Sequence, residues 1–359
     1  MKFRWGDGFL RFEVERDQPG RIVAVQSDGT LYASRGYEIR RSHDDGATWT
    51  RVAALPCSPW RRLAEQSRLA SRLLRQEVRA LAVLGDDGCV AANREGVFFG
   101  RAGAASMQPS AIEPGELPLL PPMSLSVGPG GRVLFGEYGC PRPRRPMRLY
   151  VSDDGGASFR IARTFPTGEI LHVHNLVWDA GRGHWWLLSG DHGAEPGIGM
   201  LSADLAHFEW LVKGSQLHRA VEVFDLGDHL VYATDSHVET NALVRLEKSS
   251  GRLERLRDFE GSCIYACRFG GLFALTTTVE PSPFITTDQS TLWLSRDAEK
   301  WHPALSARKD RWHPNYFQYG SLVLPRGHSD REVIAVSGQA VERWDGRVLV
   351  GRVLEGDGA

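Results

Sequence analysis

Four carboxylates of this chain each follow a strongly apolar stretch, a position from which a carboxyl group could take part in acid–base chemistry. They are Glu137, Asp191, Asp235 and Glu280. Cleavage of a glycosidic bond needs two carboxylates, one as general acid and one as base or nucleophile, and apolar surroundings raise the pKa of the acid. We expect Glu137 or Glu280 to be the acid and Asp191 or Asp235 to be the base or nucleophile.

Two histidines form a second candidate group. His172 and His174 are separated by one residue, so on a β-strand both side chains point to the same face. With Asp191 or His192 nearby they could hold a divalent metal, or they could line a catalytic site as hydrogen-bonding groups. We expect both to be catalytic and expect no metal or cofactor, with a divalent metal at this pair as the alternative.

Further residues are of types that bind sugar hydroxyls or anionic groups. They are Tyr138, His192, Gln216, Arg219, Gln318 and Tyr319. Arg144 belongs to a cationic loop, residues 140–148, which three prolines make stiff. We expect Arg144 to bind a carboxylate or phosphate group of a substrate.

An eight-residue pattern, Ser-x-Asp-x-Gly-x-Ser/Thr-aromatic, indicates which elements position these residues. It is complete at residues 42–49 and 152–159, one residue short at 295–301, and weaker at 202–208. The pattern resembles the Asp-box, or BNR repeat, of sialidase-like β-propellers. The resemblance implies that each box closes the turn between the third and fourth strands of a propeller blade.

The spacing of these boxes, close to multiples of roughly 50 residues, predicts the number of blades. Vacant repeats fall at turn signals between apolar runs, at residues 93–96, 249–251 and 345–346. We therefore predict an all-β fold, a seven-bladed β-propeller formed as a single domain by residues 1–359, with six blades as the alternative.

Strand order then predicts where the candidate residues lie. In a four-stranded meander, the start of the first strand and the connection between the second and third strands lie at the same end of the sheet. The first strand of a propeller blade is innermost, so these two positions surround the axis on the face away from the boxes. In blades three to seven they hold the candidate residues, which we expect to converge within about 15 Å around one pocket.

Residues 58–77 interrupt the β pattern. Ser58 is suited to cap a helix, Pro59 takes the first helical position, and apolar residues such as Trp60 and Leu73 recur at helical spacing. We predict a helix inserted between blades one and two, with its apolar face packed on the rim. The opposite face carries arginines that are either solvated or available to a partner or an anionic glycan: Arg61, Arg68, Arg72 and Arg75.

Composition restricts the classes of function. The net charge of −1 argues against a general nucleic-acid or membrane-surface role, and no run reaches the roughly 18 apolar residues of a membrane span. The first eight residues lack the apolar core of a secretion signal, so we expect a cytoplasmic protein. Five cysteines without CxxC pairs indicate free thiols.

The resemblance to sialidases does not extend to their catalytic residues. Val23 stands where sialidases have the proline of an Arg-Ile-Pro motif, and Arg219 is the only arginine that we place at an axial position. A group of bacterial propeller proteins of unassigned activity is also similar to this chain in six segments: 135–138, 172–174, 189–192, 216–219, 279–282 and 317–320. That resemblance implies a bacterial, polysaccharide-related context.

These observations lead to one expected function and two alternatives. We expect an enzyme that hydrolyses glycosidic bonds of a polysaccharide or oligosaccharide, anionic in character, at the axial pocket. The first alternative is a polysaccharide lyase, in which Arg219, His172 or a metal neutralises a uronate and His174, His192 or Tyr138 is the base. The second is a non-catalytic binding or assembly platform. The oligomeric state is left open.

Overall fold

The structure, a computed structural model, describes residues 9–85, 88–101, 104 and 106–356. The amino-terminal segment in which we expect no secretion signal, residues 1–8, lies outside the described residues. In the described part of the chain, none of the helices has the length and apolar character needed to cross a membrane.

Most described residues belong to four-stranded antiparallel units that follow one another along the chain. After an initial strand β1 (Phe9–Pro19), the first unit consists of β2 (Arg21–Val25), β3 (Leu31–Arg35), β4 (Glu38–Ser42) and β5 (Thr50–Ala54). Two short helices follow, α1 (Pro59–Ala64) and α2 (Arg68–Leu73). The second unit consists of β6 (Ala80–Val83), β7 (Cys89–Asn93), β8 (Gly96–Gly100) and β9 (Gln108–Pro109).

The third and fourth units carry the first candidate residues. A short strand β10 (Ala111–Ile112) pairs in parallel with the outer strand of the third unit, which consists of β11 (Ser126–Val127), β12 (Val133–Gly136), β13 (Met147–Ser152) and β14 (Ser158–Phe165). The fourth unit consists of β15 (His172–Asp179), β16 (His184–Gly190), β17 (Gly197–Ser202) and β18 (Phe208–Lys213). A 3-10 turn at Pro129–Gly131 joins β11 to β12, and another at Gln216–His218 leads into the fifth unit.

The last units complete the circle. The fifth consists of β19 (Phe224–Asp225), β20 (His229–Ala233), β21 (Asn241–Glu247) and β22 (Leu253–Phe259), and the sixth of β23 (Ser262–Phe269), β24 (Leu272–Val279), β25 (Gln289–Ser295) and β26 (His302–Arg308). After a one-turn helix α3 (Pro314–Phe317) come β27 (Gly320–Val323), β28 (Arg326–Ser329), β29 (Ile334–Gln339) and β30 (Arg347–Gly356).

The two ends of the described chain close the ring. Strand β1 pairs antiparallel with β30, so that β27, β29, β30 and β1 form one more four-stranded unit built from both ends. Strand β28 pairs in parallel with β2 and with β23, and β24 pairs with β27. Because these bridges merge three units into one continuous sheet, the count of seven blades stays a prediction.

The core lies between neighbouring units, because side chains alternate across each sheet. Trp185 of β16 is fully buried against Leu134 and Leu149 of the third unit. Trp186, the next residue, is fully buried on the other face against Leu230 and Tyr232 of the fifth unit. The first strands lie innermost, and their later residues line a central cavity of about 530 Å³.

The two complete boxes form the same hydrogen-bonded turn between the third and fourth strands of their units. In the first, Ser42 Oγ donates to Asp44 Oδ1 over 2.8 Å and Thr48 N donates to the same oxygen over 2.9 Å. Ser152, Asp154 and Ser158 repeat these bonds at 2.7 and 2.9 Å. These turns lie at the end of the sheets opposite to the starts of the first strands.

Two of the three vacant repeats are assigned wrongly by the sequence. The signal at 249–251 joins the third strand β21 to the fourth strand β22 as predicted. The signals at 93–96 and 345–346 instead join the second strands β7 and β29 to the third strands β8 and β30. Turn residues look alike at both ends of a sheet, so composition alone does not tell the two ends apart.

The helical insertion packs with the opposite face to the one predicted. Trp60 is 55% exposed and Leu63 is 67% exposed, whereas Arg72 is buried. Arg72 donates to the carbonyl oxygen of Phe317 and pairs with Asp310. Arg68 makes two bonds to Asp345, at 3.0 and 2.8 Å. The arginines therefore attach the helices to the last unit, and Arg68 and Arg72 do not form a free surface for a partner.

Candidate functional site

Asp191 is the centre of a buried polar network at the end of β16. Its Oδ1 atom lies 3.2 Å from His172 Nε2, 2.9 Å from His174 Nε2 and 3.0 Å from a terminal guanidinium nitrogen of Arg219. Three donors thus converge on one carboxylate oxygen. The described residues place no hydrogen bond on the second oxygen, Oδ2.

Local strand geometry brings both histidines to this oxygen. His172 pairs with Gly190 across β15 and β16, and the register shifts between Val173 and Asn175, which leaves His174 in a bulge. A Cβ atom at Gly190 would lie 2.4 Å from His174 Cε1, so the ring fits only because residue 190 is glycine. The bulge and the glycine together position the second ring.

His172 is a cation in this network. Burial alone would lower its pKa, but hydrogen bonds with Asp191, Cys140 and the carbonyl of Gly139 outweigh burial and raise the pKa to about 9. Nδ1 faces Gly139 O at 3.1 Å and Nε2 faces Asp191, so both ring nitrogens face acceptors. Burial favours a raised pKa for Asp191, but the bonds from His172 and His174 hold it well below its usual range. Asp191 is therefore ionised.

A second carboxyl group, Asp235, lies beside the first and behaves in the opposite way. A carboxylate oxygen of Asp235 lies within 4.8 Å of one of Asp191. Burial, with the negative charges of Glu280 and Asp191, raises the pKa of Asp235 well above its usual value despite the attraction of Arg219. Burial also raises the pKa of Glu280, although Ser262 donates a hydrogen bond to it. The surroundings of Asp235 thus favour its protonated form.

Tyr138 covers the network on the side of the axis. Its ring centroid lies 4.2 Å from that of His172. The guanidinium group of Arg79 lies over the Tyr138 ring, 5.3 Å from the ring centroid. Burial and the charges of Asp191 and Asp235 raise the pKa of the Tyr138 hydroxyl. The phenol therefore keeps its proton, which it could donate to an oxygen of a ligand.

Two of the predicted sugar-binding residues have other partners. Gln216 Nε2 donates to the backbone oxygen of Asp191 over 2.9 Å, and Gln216 Oε1 accepts from Ser236 over 2.9 Å. Gln216 therefore helps to hold the backbone of Asp191 in place. His192 is exposed, and its ring lies 5.2 Å from that of His237. His237 Nδ1 lies 2.8 Å from Arg219, which connects His192 to the network.

Glu137 is not part of this network. Its side chain is fully buried and pairs with Arg145 at 2.6 Å and with Arg148 at 2.6 Å. Leu120 N also donates to it over 3.0 Å. We therefore leave Glu137 out of the acid–base groups, because its carboxylate oxygens already accept hydrogen bonds from the protein and are not available to a substrate. Arg144 is exposed and pairs with Glu195 at 3.0 Å, outside the network.

The remaining candidates line a second cavity beside Tyr138. This axial cavity, of about 200 Å³, has Arg79, Glu77, Gln318 and Tyr319 among its walls. Gln318 Nε2 donates to both oxygens of Glu77 at 3.0 Å, so its amide is already engaged. Burial and the negative charges of Glu280 and Asp235 raise the pKa of Tyr319, which places it near those carboxyl groups.

The first two units contribute three arginines to this face that were not among the predicted site residues. Arg21 starts β2, Arg79 precedes β6, and Arg94 lies between β7 and β8. Each of the three lies either at the start of a first strand or between a second and a third strand. These are the positions at which we predicted site residues, but we considered them only in blades three to seven. Arg94 was missed for a second reason, the wrong assignment of the turn at 93–96.

Two groups of side chains could hold a metal ion by their spacing. One is Cys140, His172 and Asp191, and the other is His174, Asp191 and Asp235. Arg219 already lies 3.0 Å from Asp191 and 3.4 Å from Asp235, so a guanidinium supplies the positive charge between the two carboxyl groups. We therefore assign no metal to these residues.

Comparison with known proteins identifies the architecture. No family model matches the chain, and no curated protein is significantly similar to it in sequence. A GH74 xyloglucanase from Xanthomonas campestris superposes with a TM-score of 0.58 at 14% identity, over 92% of this chain and 52% of that one. The WD40 β-propeller domain of Doa1 gives 0.51 at 14% identity, over 96% of both chains.

A third similar structure is the extracellular domain of the putative one component system BT4673 from B. thetaiotaomicron. Its TM-score is 0.55 at 9% identity, over 98% of this chain and 42% of that one. The chain has a β-propeller fold. It spans about half of the propeller xyloglucanase and less than half of the BT4673 domain, so their activities are not transferred with the fold.

Proposed function

We propose that this propeller hydrolyses a glycosidic bond of an anionic glycan, with Asp235 as general acid and Asp191 as the ionised carboxylate. The observation that supports this most directly is the pair itself. Two carboxyl groups with oxygens within 4.8 Å of each other have pKa values displaced in opposite directions. When the surroundings push the pKa values of two neighbouring carboxyl groups apart, the group with the raised pKa is assigned as the acid and the other as the base or nucleophile.

The spacing favours a retaining reaction. Retaining glycosidases hold their two carboxyl groups about 5 Å apart, whereas inverting enzymes leave room for a water molecule between them. Asp235 would protonate the leaving glycosidic oxygen while Asp191 Oδ2, which carries no hydrogen bond from the described residues, attacks the anomeric carbon. Water then breaks the glycosyl–aspartate bond, and Asp235, now deprotonated, accepts its proton.

Surrounding groups supply orientation and hydrogen bonds. Arg219 holds both carboxyl groups, and His172 and His174 fix Asp191 Oδ1 so that Oδ2 points away from them. The Tyr138 hydroxyl would donate to a sugar oxygen. The structural similarity to a GH74 xyloglucanase supports a carbohydrate substrate.

Activity on polysaccharides tests the proposal. The full chain would be incubated with a panel of acidic and neutral polysaccharides, and new reducing ends would be measured for the wild type, Asp235→Asn, Asp191→Asn and the control Asp258→Asn. Asp258 is exposed on an outer strand. We expect cleavage that both site variants abolish and the control keeps. Cleavage that survives in Asp191→Asn and Asp235→Asn contradicts the proposal.

One observation favours β-elimination as a second candidate. Arg79 lies beside Tyr138, so a uronate carboxylate could be neutralised next to a phenol that protonates the leaving oxygen. His174 Nδ1 lies 2.8 Å from Ala220 O and its Nε2 lies 2.9 Å from Asp191, so neither nitrogen is free to accept a substrate proton, and the exposed His192 would be the base of this candidate. A lyase leaves an unsaturated product that absorbs ultraviolet light, and a hydrolase does not. Cleavage accompanied by that absorbance would replace hydrolysis with elimination.

A further inference from the structure

A third cavity opens between the helical insertion and the last unit. It has a volume of about 460 Å³ and is bounded by the end of α2, the turn between β7 and β8, and α3. Its lining residues include three arginines, Arg75, Arg79 and Arg94, and two tyrosines, Tyr316 and Tyr319. We call it the rim cavity.

The charge of the rim cavity is not balanced by its own residues. Arg79 and Arg94 form no ion pair or hydrogen bond through their guanidinium groups within the described chain, and Arg75 donates to Asn315 O over 3.1 Å. Glu77 is the acidic residue of the lining, and it is engaged by Gln318 at 3.0 Å and by Arg21 at 3.3 Å. Like charges gathered without counter-charges favour an anionic ligand.

The crowding of these cations also affects the pKa of Arg75. Burial lowers the pKa of Arg75, and the neighbouring charges of Arg94 and Arg79 lower it further, against the attraction of Glu77. An anion bound between the three guanidinium groups would relieve this repulsion.

Aromatic rings stand beside the charges. Tyr316 is 61% exposed and Tyr319 is 36% exposed, although both are large and partly apolar. An exposed aromatic ring offers an apolar face to the C–H face of a pyranose and a hydroxyl for hydrogen bonding. Arginines for an anionic group next to tyrosines for a sugar ring fit a charged sugar better than a free inorganic anion.

The rim cavity is continuous with the axial cavity beside Tyr138. Arg75, Glu77, Arg79 and Tyr319 line both the rim cavity and the axial cavity. Tyr138 lines the axial cavity, and its ring lies against His172, which binds Asp191. A glycan chain bound in the rim cavity would therefore extend towards Tyr138, whose ring lies beside the network of the carboxyl pair.

We propose that the rim cavity is a subsite for a uronate residue of the glycan, with its carboxylate on Arg75, Arg79 and Arg94 and its ring on Tyr316 and Tyr319. This subsite extends the proposed hydrolytic function, since it binds the same chain at a distance from the bond that is cleaved. It defines the substrate class as a glycan that carries carboxylates.

Binding to an inactive variant tests the subsite. Full-length Asp235→Asn would be titrated with tetragalacturonate in a calorimeter. The same titration would be repeated with three double variants, in which Asp235→Asn is combined with Arg94→Gln, with Arg79→Gln or with the control Arg182→Gln. Arg182 is exposed in the turn between β15 and β16, at the opposite end of the sheets. We expect each rim variant to bind about tenfold more weakly or worse, and the control to bind as before. Arg94 is exposed, so its replacement leaves the core intact.

The outcomes separate the subsite from the reaction. Unchanged binding in both rim variants, or equal binding of a neutral tetrasaccharide, contradicts the subsite, and so does tighter binding of a sulfated oligosaccharide of the same length. If wild-type protein cleaves the glycan while the rim variants bind it normally, the subsite is wrong and the hydrolytic function stands. If binding depends on the rim arginines but no wild-type cleavage occurs, the subsite stands and the hydrolytic function is wrong.

Discussion

One guanidinium nitrogen of Arg219 lies 3.0 Å from Asp191 Oδ1 and 3.4 Å from Asp235 Oδ2. The same cation therefore lies beside one carboxyl group whose pKa is lowered and one whose pKa is raised. The difference comes from the other neighbours, because Asp191 also accepts from His172 and His174. For Asp235, burial and two negative neighbours dominate.

Replacing Asp235 by Asn removes the proton donor and nearly preserves the shape of the side chain. We expect kcat to fall by about 100-fold or more with little change in KM, since positioned acid catalysis contributes about 10²–10⁴-fold. Steady-state kinetics on the glycan found by screening measures this. Asp258→Asn is the matched control, and an equal loss in both variants would count against a specific role.

His172 should make stability depend on pH. Its pKa is raised from 6.5 to about 9, so its stabilising effect is complete below about pH 6.5 and is lost as the pH rises through about 9. We expect His172→Gln to lower the free energy of unfolding at pH 6 by roughly 2–3 kcal/mol, and by much less at pH 10. Urea unfolding at both pH values measures the difference.

The control for this experiment is an exposed histidine. His207 lies on the surface, so His207→Gln should cost the same small amount at both pH values. A loss of stability in His172→Gln that is independent of pH would show that the ring is neutral in the folded protein.

Glu137 should be needed for folding and not for chemistry. Replacing it by Gln leaves Arg145 and Arg148 without a counter-charge in a buried place, which costs about 3–5 kcal/mol when a buried pair is broken. Chemical denaturation gives this cost, and kcat per folded molecule should stay close to wild type. Glu254→Gln, at an exposed pair with Arg245, should change neither quantity. A large fall in kcat of folded Glu137→Gln would restore Glu137 to the acid–base groups.

Gly190 should control the position of His174. The Cβ of Gly190→Ala would lie 2.4 Å from His174 Cε1, so the ring or the strand must move. We expect a cost of about 1–3 kcal/mol in stability and a large fall in kcat. Gly85→Ala, where a Cβ meets nothing within 4 Å, is the control. Normal activity in Gly190→Ala would show that His174 does not position Asp191.

Features that depend on neighbouring residues in the chain could be predicted from the sequence. The turn from Ser42 to Trp49 is held by hydrogen bonds within eight residues, so its pattern is visible without any tertiary structure. The network around Asp191 was also predictable, because His172, His174 and Asp191 lie on two adjacent strands of one unit. A strand-order rule is enough to bring such residues to one end of a sheet.

Other features depend on packing between units, which the sequence does not show. Glu137 and Asp235 both lie just after the second strand of their units, yet Glu137 pairs with Arg145 and Arg148 of its own unit, whereas Asp235 lies near Glu280 and Asp191 of the neighbouring units and near Arg219. The helices at 59–73 were assigned the wrong inward face, because the acidic partners of Arg68 and Arg72 lie more than 200 residues away.

The sequence by itself determined the repeated strands, the box turns and the end of the sheets that holds the polar residues. Only the tertiary structure decided which of those residues are neutralised by neighbours and which keep a charge or proton for a ligand, because desolvation and charge pairing depend on distances between units.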